Sequence, residues 1–147
     1  MTTRPPADVG IPLEAVDTPA LLLDLDAFER NVSRLAQAVA GSPVRLRPHS
    51  KSHKCPVIAL RQLASGAVGV CCQKVSEAEA MVFGGVPDVL VSNQIVGAPK
   101  ISRLVSLARL ARVAVCADDP ENVSALNEAA VAFGVRRLER VHIERLD

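Results

Sequence analysis

A row of positively charged residues between positions 45 and 53 is the feature of the sequence most able to do chemistry. Its members occupy alternate positions and are Arg45, Arg47, His49, Lys51 and His53. Alternate side chains of an extended segment point to one side, so the spacing predicts that these groups share one surface. If that surface is buried, the row of cations needs an anion to balance its charge. A lysine crowded by cations loses part of its preference for the protonated form, and Schiff-base formation with a carbonyl requires a neutral amine. Lys51 is therefore the best candidate for a reactive amine.

The same residues allow plainer interpretations. Arg45 and Arg47 can lie at the end of a sheet with their charges in solvent, while the histidines and Lys51 are ordinary surface groups. His49 and His53 can be read as metal ligands, although no carboxylate or third ligand adjoins them. A basic loop that binds RNA is a further alternative, which the scarcity of aromatic side chains disfavours.

Polar side chains follow the other predicted strands as well. They are Gln73 and Lys74, then Ser92, Asn93 and Gln94, and finally Asp118 and Asp119. Ligands of parallel α/β folds lie at the carboxyl ends of the strands, so we expect these residues on one rim. Asp119 is better explained as a helix cap. Gln73 directly follows a predicted buried strand and can donate a hydrogen bond to a phosphate or ring oxygen.

Five βα units account for most of the chain. The predicted strands are apolar runs at residues 20–25, 44–47, 67–72, 89–91 and 113–116. Each precedes a stretch of helical periodicity, with predicted starts near Asp26 (paired with Glu29), Pro56, Ser76 (paired with Glu79), Pro99 and Pro120, and predicted stops at Gly41, Gly66, Gly84 and Gly134. Nearly continuous apolar strands indicate a parallel sheet buried on both faces. Periodicity alone fits either a doubly wound sheet or part of a barrel, and the missing Gly-x-Gly-x-x-Gly motif weakens the nucleotide-binding open sheets.

Composition describes a globular domain and excludes several other classes. The 147 residues carry 17 Lys and Arg against 16 Asp and Glu, so no overall basic field favours nucleic acid or an anionic membrane. The 2% aromatic content lacks the stacking surfaces that single-stranded nucleic acid needs. The four cysteines show no CxxC spacing and are predicted to be buried small hydrophobes. Without a signal-peptide pattern, we expect a cytoplasmic protein whose residues 1–16 form a loose N-terminal leader.

Four stretches of the sequence resemble the D-threonine aldolase and D-serine dehydratase group. These enzymes are fold-type III pyridoxal phosphate enzymes and relatives of the alanine racemase N-terminal domain. The stretches are DTPALLLDLD at 17–26, RPHSKSHK at 47–54, VCCQKVSEAE at 70–79 and DVLVSN at 88–93. The resemblance runs from about residue 17 to residue 134, and its RPHxKxHK element is long and chemically unusual.

The resemblance implies a cofactor and a role for particular residues. Lys51 matches the lysine that forms the Schiff base with pyridoxal 5'-phosphate and is the predicted catalytic residue. Gln73 matches a cofactor-contacting position, and His49 and Asn93 are further cofactor-binding candidates. The implied activity is that of a lyase on β-hydroxy-D-amino acids, either retro-aldol cleavage to glycine and an aldehyde or elimination of the D-serine dehydratase type. A divalent metal acting as Lewis acid and a homodimeric assembly are implied for full-length relatives, and no metal ligand is assigned in this chain.

The implied fold is α/β, an incomplete parallel (β/α)8 TIM-type barrel of about five βα units without the C-terminal β domain. We expect residues 17–134 to form this partial barrel and residues 135–147 to be a charged, divergent tail. A complete barrel needs about 250 residues, so we expect an N-terminal fragment that is inactive in isolation. A non-catalytic pyridoxal phosphate-binding protein and a remnant without a stable fold are the alternatives. The expected partner is a small D-amino acid, with no nucleic acid and no membrane.

Overall fold

The computed structural model describes residues 7–135 and the short strand at 142–143. Its helices are α1 (Leu25–Val39), α2 (Pro56–Ala64), α3 (Val75–Phe83), α4 (Ala98–Leu107) and α5 (Pro120–Ala132). Its strands are β1 (Val70–Cys72), β2 (Asp88–Val91), β3 (Arg112–Ala117) and β4 (His142–Ile143). Short 3₁₀ helices lie at Leu13–Ala15 and Ser50–Ser52.

The strands form one parallel sheet in the order β1-β2-β3-β4. Helices alternate with strands along the chain, and α3 connects β1 to β2 while α4 connects β2 to β3. The α/β class predicted from the sequence is therefore confirmed. Among the described residues, no helix combines the length and apolarity needed to cross a membrane.

The two faces of the sheet are buried to different extents. On the face that forms the core, the side chains of Val89, Val113 and Val115 are almost completely buried, together with Leu104 of α4 and Leu126 of α5. The alternate positions of the same strands, which include Cys71, Leu90 and Ala114, are only partly buried. The expectation of burial on both faces is wrong for this part of the chain, because the helices cover one side of the strands.

The first predicted strand, at residues 20–25, is not formed. Residues 20–24 have no strand pairing, and Leu21 and Leu22 are 95% and 59% exposed. A strand needs a neighbour to satisfy its backbone groups, and none of the described segments pairs with this one. Helix α1 begins at Leu25 and is capped by Asp24, whose carboxylate accepts a hydrogen bond from the Ala27 amide at 2.8 Å. The predicted cap, Asp26, therefore lies two residues after the observed cap.

The second predicted strand, at residues 44–47, exists as an irregular extended segment beside β1. The amide of Val68 donates to the carbonyl of Leu46 at 2.9 Å, and the amide of Cys71 donates to the carbonyl of Pro48 at 2.7 Å. His49 forms an isolated parallel bridge with Cys71. Pro48 has no N–H to donate, so a regular ladder cannot continue through it. This extended segment lies at the edge of the sheet beside β1, and the turn that contains Lys51 follows it directly.

Most predicted helix ends agree with the structure. Helix α5 begins at Pro120 and is capped by Asp119, which accepts from the Asn122 amide at 2.9 Å. Gly66, after α2, has a φ of 101°, a conformation that favours glycine at a helix stop. The predicted Ser76 cap is wrong, because α3 begins at Val75 after Lys74 without a side-chain cap.

Candidate active site at the carboxyl end of the sheet

Lys51 lies in the 3₁₀ turn Ser50–Ser52, directly after the extended segment beside β1. Its backbone amide donates to Nδ1 of His49 at 3.2 Å, and the Lys54 amide closes the turn on the Ser50 carbonyl at 2.8 Å. The Lys51 side chain is exposed, and within residues 7–135 no ion pair involves its Nζ. The turn therefore fixes the backbone of Lys51 and leaves its amine accessible.

Ser50 fixes this turn to strand β1. Its side chain is completely buried, and Oγ donates to the carbonyl of Cys71 at 2.9 Å while lying 3.4 Å from Sγ of Cys72. Sequence reasoning missed Ser50. The available signal was its place between two members of the alternating row, because such a position points away from the surface that the row occupies.

His49 connects the same turn to the end of strand β2. Its Nε2 lies 3.4 Å from Oγ of Ser92, the residue that follows β2, while Nδ1 accepts from the Lys51 amide. The Ser92 amide donates to the Cys72 carbonyl at 2.9 Å, so the ends of β1 and β2 are joined at this point. The structure thus brings His49 and Lys51 together at the carboxyl end of the sheet.

Gln73 and Asn93 line a cleft of about 380 Å³ at the same end of the sheet. Its remaining lining includes the cationic residues Lys74, Lys100 and Arg103. The Gln73 backbone amide donates to Oε2 of Glu77 at 2.8 Å. The Gln73 side chain takes no part in this hydrogen bond and is exposed. His49 and Lys51 do not line this cleft. The four predicted site residues therefore form two adjacent pairs, linked through the neighbouring residues Cys72 and Ser92.

The other cations of the alternating row have different surroundings. Nη1 of Arg47 donates to Oδ1 of Asp88 at 2.8 Å, and Nη1 of Arg112 lies 3.6 Å from Oδ2 of the same carboxylate. Asp88 and Arg112 are the first residues of β2 and β3, so this ion cluster lies at the amino end of the sheet. Arg45 is exposed. The expectation of one buried cationic surface is wrong, because the protein itself supplies the anion for Arg47 and the remaining members are not deeply buried.

Burial favours the uncharged forms of His53 and of the Cys71 and Cys72 thiols. Nδ1 of His53 accepts from the Cys55 amide at 3.1 Å, and burial lowers the pKa of His53 below its usual value. Burial raises the pKa of the Cys71 and Cys72 thiols. All four cysteines are free. Neutral thiols are poor nucleophiles, which argues against Cys71 and Cys72 as reactive groups.

Two further observations delimit the site. Within the described parts of the chain, no group of three or more His, Cys, Asp or Glu side chains is placed to hold a metal ion. A second cleft, of about 690 Å³, lies between α4 and α5 and contains none of the four predicted site residues. Its acidic lining includes Asp118, which accepts from Nε2 of Gln94 at 2.8 Å, and the α5 cap Asp119.

Comparison with known proteins gives relatives that are much longer than this chain. It is 50% identical over 132 residues to a D-threonine aldolase from Arthrobacter sp., a match that covers 90% of this chain and 35% of the relative. It is 45% identical over 131 residues to a 3-hydroxy-D-aspartate aldolase from Paracoccus denitrificans, with 88% and 34% covered. It also matches 78 residues of a D-threo-3-hydroxyaspartate dehydratase from Delftia sp. at 41% identity, which is 53% of this chain and 20% of the relative.

Solved structures of the same kinds of enzyme are also similar to this chain and are also longer than it. The crystal structure of D-threonine aldolase from Filomicrobium marinum superimposes with a TM-score of 0.87 at 59% sequence identity, covering 90% of this chain and 36% of that one. D-threo-3-hydroxyaspartate dehydratase from Delftia sp. superimposes with a TM-score of 0.69 at 32% identity, with 80% and 31% covered. The resemblance identified in the sequence is confirmed, and so is the partial barrel that it implies.

The family match continues further toward the C-terminus than the motif resemblance, which ends at about residue 134. It matches residues 23–145, past Gly134, and the described strand at 142–143 pairs in parallel with β3 inside this range. The match takes in the Lys51 turn, the Gln73 and Asn93 cleft, and most of the described sheet. The chain therefore belongs to the alanine racemase, N-terminal domain family.

Proposed function

We propose that this chain supplies the lysine-bearing part of a pyridoxal phosphate-dependent lyase that acts on β-hydroxy-D-amino acids. The observation that carries the proposal is the turn that contains Lys51, whose side-chain amine is exposed. Hydrogen bonds of Ser50 hold this turn to β1, and contacts of His49 hold it to the end of β2. Similarity to the D-threonine aldolases supports the substrate class. The chain spans 35% of the length of the Arthrobacter relative, so catalysis by the complete enzyme needs groups beyond those described here.

The residues present fit pyridoxal phosphate, which is an anionic aldehyde. Lys51 offers an amine with no described ion pair to compete for it, and Lys74 and Lys100 add positive charge at the same end of the sheet. The cleft lies beside the first turn of α3, where the helix dipole also favours negative charge. Gln73 and Asn93 carry amide groups that can donate to phosphate or ring oxygens.

The roles of the side chains follow from these positions. When bound, pyridoxal phosphate supplies the electron sink that makes bonds at the substrate α-carbon breakable. Lys51 would hold the cofactor through Nζ, and the same amine would be placed to accept or return a proton at the substrate α-carbon. Gln73 and Asn93 orient the cofactor, and His49 holds the Lys51 backbone.

A divalent metal is the second group that the family resemblance implies, and the described residues do not fit it. His49 uses Nδ1 for the Lys51 amide and Nε2 for Ser92, and Nδ1 of His53 is taken by the Cys55 amide. No third ligand completes a site among the described residues. We therefore assign no step of the reaction to a metal bound by this part of the chain.

Cα–Cβ cleavage to glycine and an aldehyde is the proposed reaction, with elimination of the β-hydroxyl as the alternative. Elimination is favoured by one observation, the 41% identity to the Delftia dehydratase. We also propose a homodimeric assembly for the complete enzyme and a cytoplasmic location. The four free thiols accord with a reducing compartment. For the isolated chain we propose cofactor capture with little or no turnover.

Covalent trapping tests the role of Lys51. The chain is incubated with pyridoxal phosphate, reduced with borohydride and analysed by peptide mass mapping. We expect the pyridoxyl adduct at Lys51 to exceed that at the other lysines about tenfold or more, because a positioned amine near positive charge reacts ahead of solvated ones. Lys51→Ala removes this adduct, and the matched variant Lys54→Gln, which removes an exposed lysine that pairs with Glu77, retains it.

Two outcomes would contradict these proposals separately. Equal labelling of Lys51 and Lys100 would mean ordinary surface reaction and would remove the assignment of Lys51. Release of acetaldehyde and glycine from D-threonine at a rate typical of the longer aldolases would overturn the proposed inactivity of the isolated chain and leave the lysine assignment intact.

A further inference from the structure

We infer that Ser92 is a positioning residue for Lys51 and acts through the tautomer of His49. The inference rests on the proposed function of Lys51 and assigns a role to a residue outside the four predicted site positions. Ser92 follows β2 and lies next to Asn93, so it joins the two pairs of predicted site residues. Its hydroxyl is the contact that His49 Nε2 makes, at 3.4 Å.

The hydrogen bonds around His49 admit one assignment of donors and acceptors. The Lys51 backbone amide can only donate, so Nδ1 of His49 must carry a lone pair. A neutral imidazole with a free Nδ1 carries its proton on Nε2, and that proton is donated to Oγ of Ser92. The Ser92 hydroxyl in turn donates to the Cys72 carbonyl at 3.4 Å. A continuous donor chain therefore runs from Lys51 through His49 and Ser92 to strand β1.

Ser92 determines this arrangement because its hydroxyl can accept and donate at once. Without that acceptor, only the Lys51 amide still favours a proton on Nε2, so the other tautomer becomes more populated. In the other tautomer, Nδ1 becomes a donor and faces the Lys51 amide, which is also a donor. The bond that fixes the Lys51 backbone is then lost, while Ser50 still ties the turn to Cys71. The expected defect is in the positioning of Lys51 and not in the fold of the chain.

Nitrogen-15 NMR of the histidine side chains tests the hydrogen-bond chain without any cofactor. Spectra of the full chain, with His49 assigned through His49→Gln, distinguish the two tautomers by the shifts of Nδ1 and Nε2. We expect the Nε2–H tautomer to predominate in the wild type and in Ser92→Thr, which keeps a hydroxyl. In Ser92→Ala we expect a mixture. Ser106→Ala is the matched control, because Ser106 is a serine of α4 that donates only to the Arg103 carbonyl.

The same variants are then compared for borohydride-trapped pyridoxal phosphate on Lys51. We expect the rate of capture to fall about three- to tenfold in Ser92→Ala, the scale of one lost hydrogen bond, and to recover in Ser92→Thr. Circular dichroism and urea unfolding should be unchanged in the two Ser92 variants, since Ser92 is exposed.

Each contrary result has a distinct meaning. An unchanged His49 tautomer in Ser92→Ala would overturn the donor chain, and an altered tautomer with unchanged capture would overturn the positioning role. Failure of the wild type itself to capture pyridoxal phosphate would overturn the proposed function of Lys51 and, with it, the positioning role. The NMR result would still decide whether Ser92 sets the tautomer.

Discussion

The two ends of the parallel sheet carry similar cations and use them differently. At the amino end, Arg47 and Arg112 both contact the carboxylate of Asp88. At the carboxyl end, Lys51 and Lys100 make no ion pair within the described part of the chain. The two arginines at the amino end are paired within the protein. At the carboxyl end Lys54 and Arg103 pair with Glu77 and Glu79, while Lys51 and Lys100 stay available to a ligand. The presence or absence of a carboxylate partner within the protein separates the structural cations from the candidate catalytic ones.

The physical environment of each end explains the difference. The side chains of Arg47 and Asp88 are 24% and 15% exposed, so each would lose much of its hydration without a partner. The carboxyl end faces solvent and adjoins the amino termini of α3 and α4, whose dipoles favour an anion. Unpaired lysines are tolerated there because water hydrates them until a ligand binds.

Removal of Asp88 should give the largest effect on stability. Asp88→Ala leaves the partly buried Arg47 without its counter-ion, and we expect the free energy of unfolding to fall by about 2 to 4 kcal/mol. Lys51→Ala removes an exposed side chain and should change it by less than about 0.5 kcal/mol. Urea unfolding of the two variants measures both values, and covalent capture of pyridoxal phosphate should show the opposite order of effects.

The contrast between the two ends would fail if the variants behaved alike. Comparable losses of stability would mean that Lys51 also has a structural role at the carboxyl end. A loss of cofactor capture in Asp88→Ala at temperatures where the chain stays folded would connect the amino-end cluster to the site.

Gly69→Ala tests the packing of the same amino-end cluster. A Cβ at position 69 would lie 2.7 Å from the carbonyl oxygen of Asp88 and would overlap the guanidinium of Arg47. We expect a loss of about 1 to 3 kcal/mol in the free energy of unfolding, because the clash involves backbone as well as side chain. In an Arg47→Ala background the loss should be smaller, since one of the two obstacles is gone. Equal losses in both backgrounds would place the whole cost on the Asp88 backbone.

Glu79 and Arg103 provide an exposed ion pair against which the buried cluster can be compared. Nε of Arg103 donates to Oε1 of Glu79 at 2.7 Å and joins α4 to α3, and this hydrogen bond lowers the pKa of Glu79. Because half of the Arg103 side chain is exposed, Glu79→Gln should cost less than about 1 kcal/mol. A cost equal to that of Asp88→Ala would show that burial does not set the strength of these pairs.

The pH dependence of this pair has a definite sign. A carboxyl whose pKa is lowered on folding stabilises the protein above its unfolded pKa, which is about 4.3 for Glu, and loses that contribution as the pH falls through the folded value. The stability difference between wild type and Glu79→Gln should therefore be present at neutral pH, decline as the pH falls below about 4.3 and be lost once the pH is below the folded pKa of Glu79. A difference that persists in acid would assign the effect to packing.

The local signals in the sequence were read most reliably where chemistry is confined to one turn. Asp119 and Pro120 at the start of α5, Pro56 at the start of α2 and the glycine stop at Gly66 are all present as predicted. The predicted strand at residues 20–25 was wrong because a strand depends on a distant partner. The predicted Ser76 cap was wrong because Glu77, and not Ser76, interacts with the chain at the start of α3.

The candidate site also contains residues that the sequence indicated and residues that only the folded structure revealed. The alternation of Arg47, His49 and Lys51 was visible in the sequence, and the resemblance pointed to Lys51 and Gln73. The roles of Ser50 and Ser92 were not visible, because each depends on a contact with a residue about 20 or 40 positions away, Ser50 with Cys71 and Ser92 with His49.

The sequence by itself determined most of the alternation of helices and strands, most helix ends and, through its motifs, the family and the choice of Lys51 as candidate, since these follow from short-range spacing and residue type. Only the tertiary structure decided which charges of the row are neutralised and which stay accessible. In the folded chain, Asp88 accepts a hydrogen bond from Arg47 at the amino end of the sheet, and Lys51 lies in an exposed turn at the carboxyl end. The physical reason is that hydration and ion pairing depend on distances between strands, which no local pattern specifies.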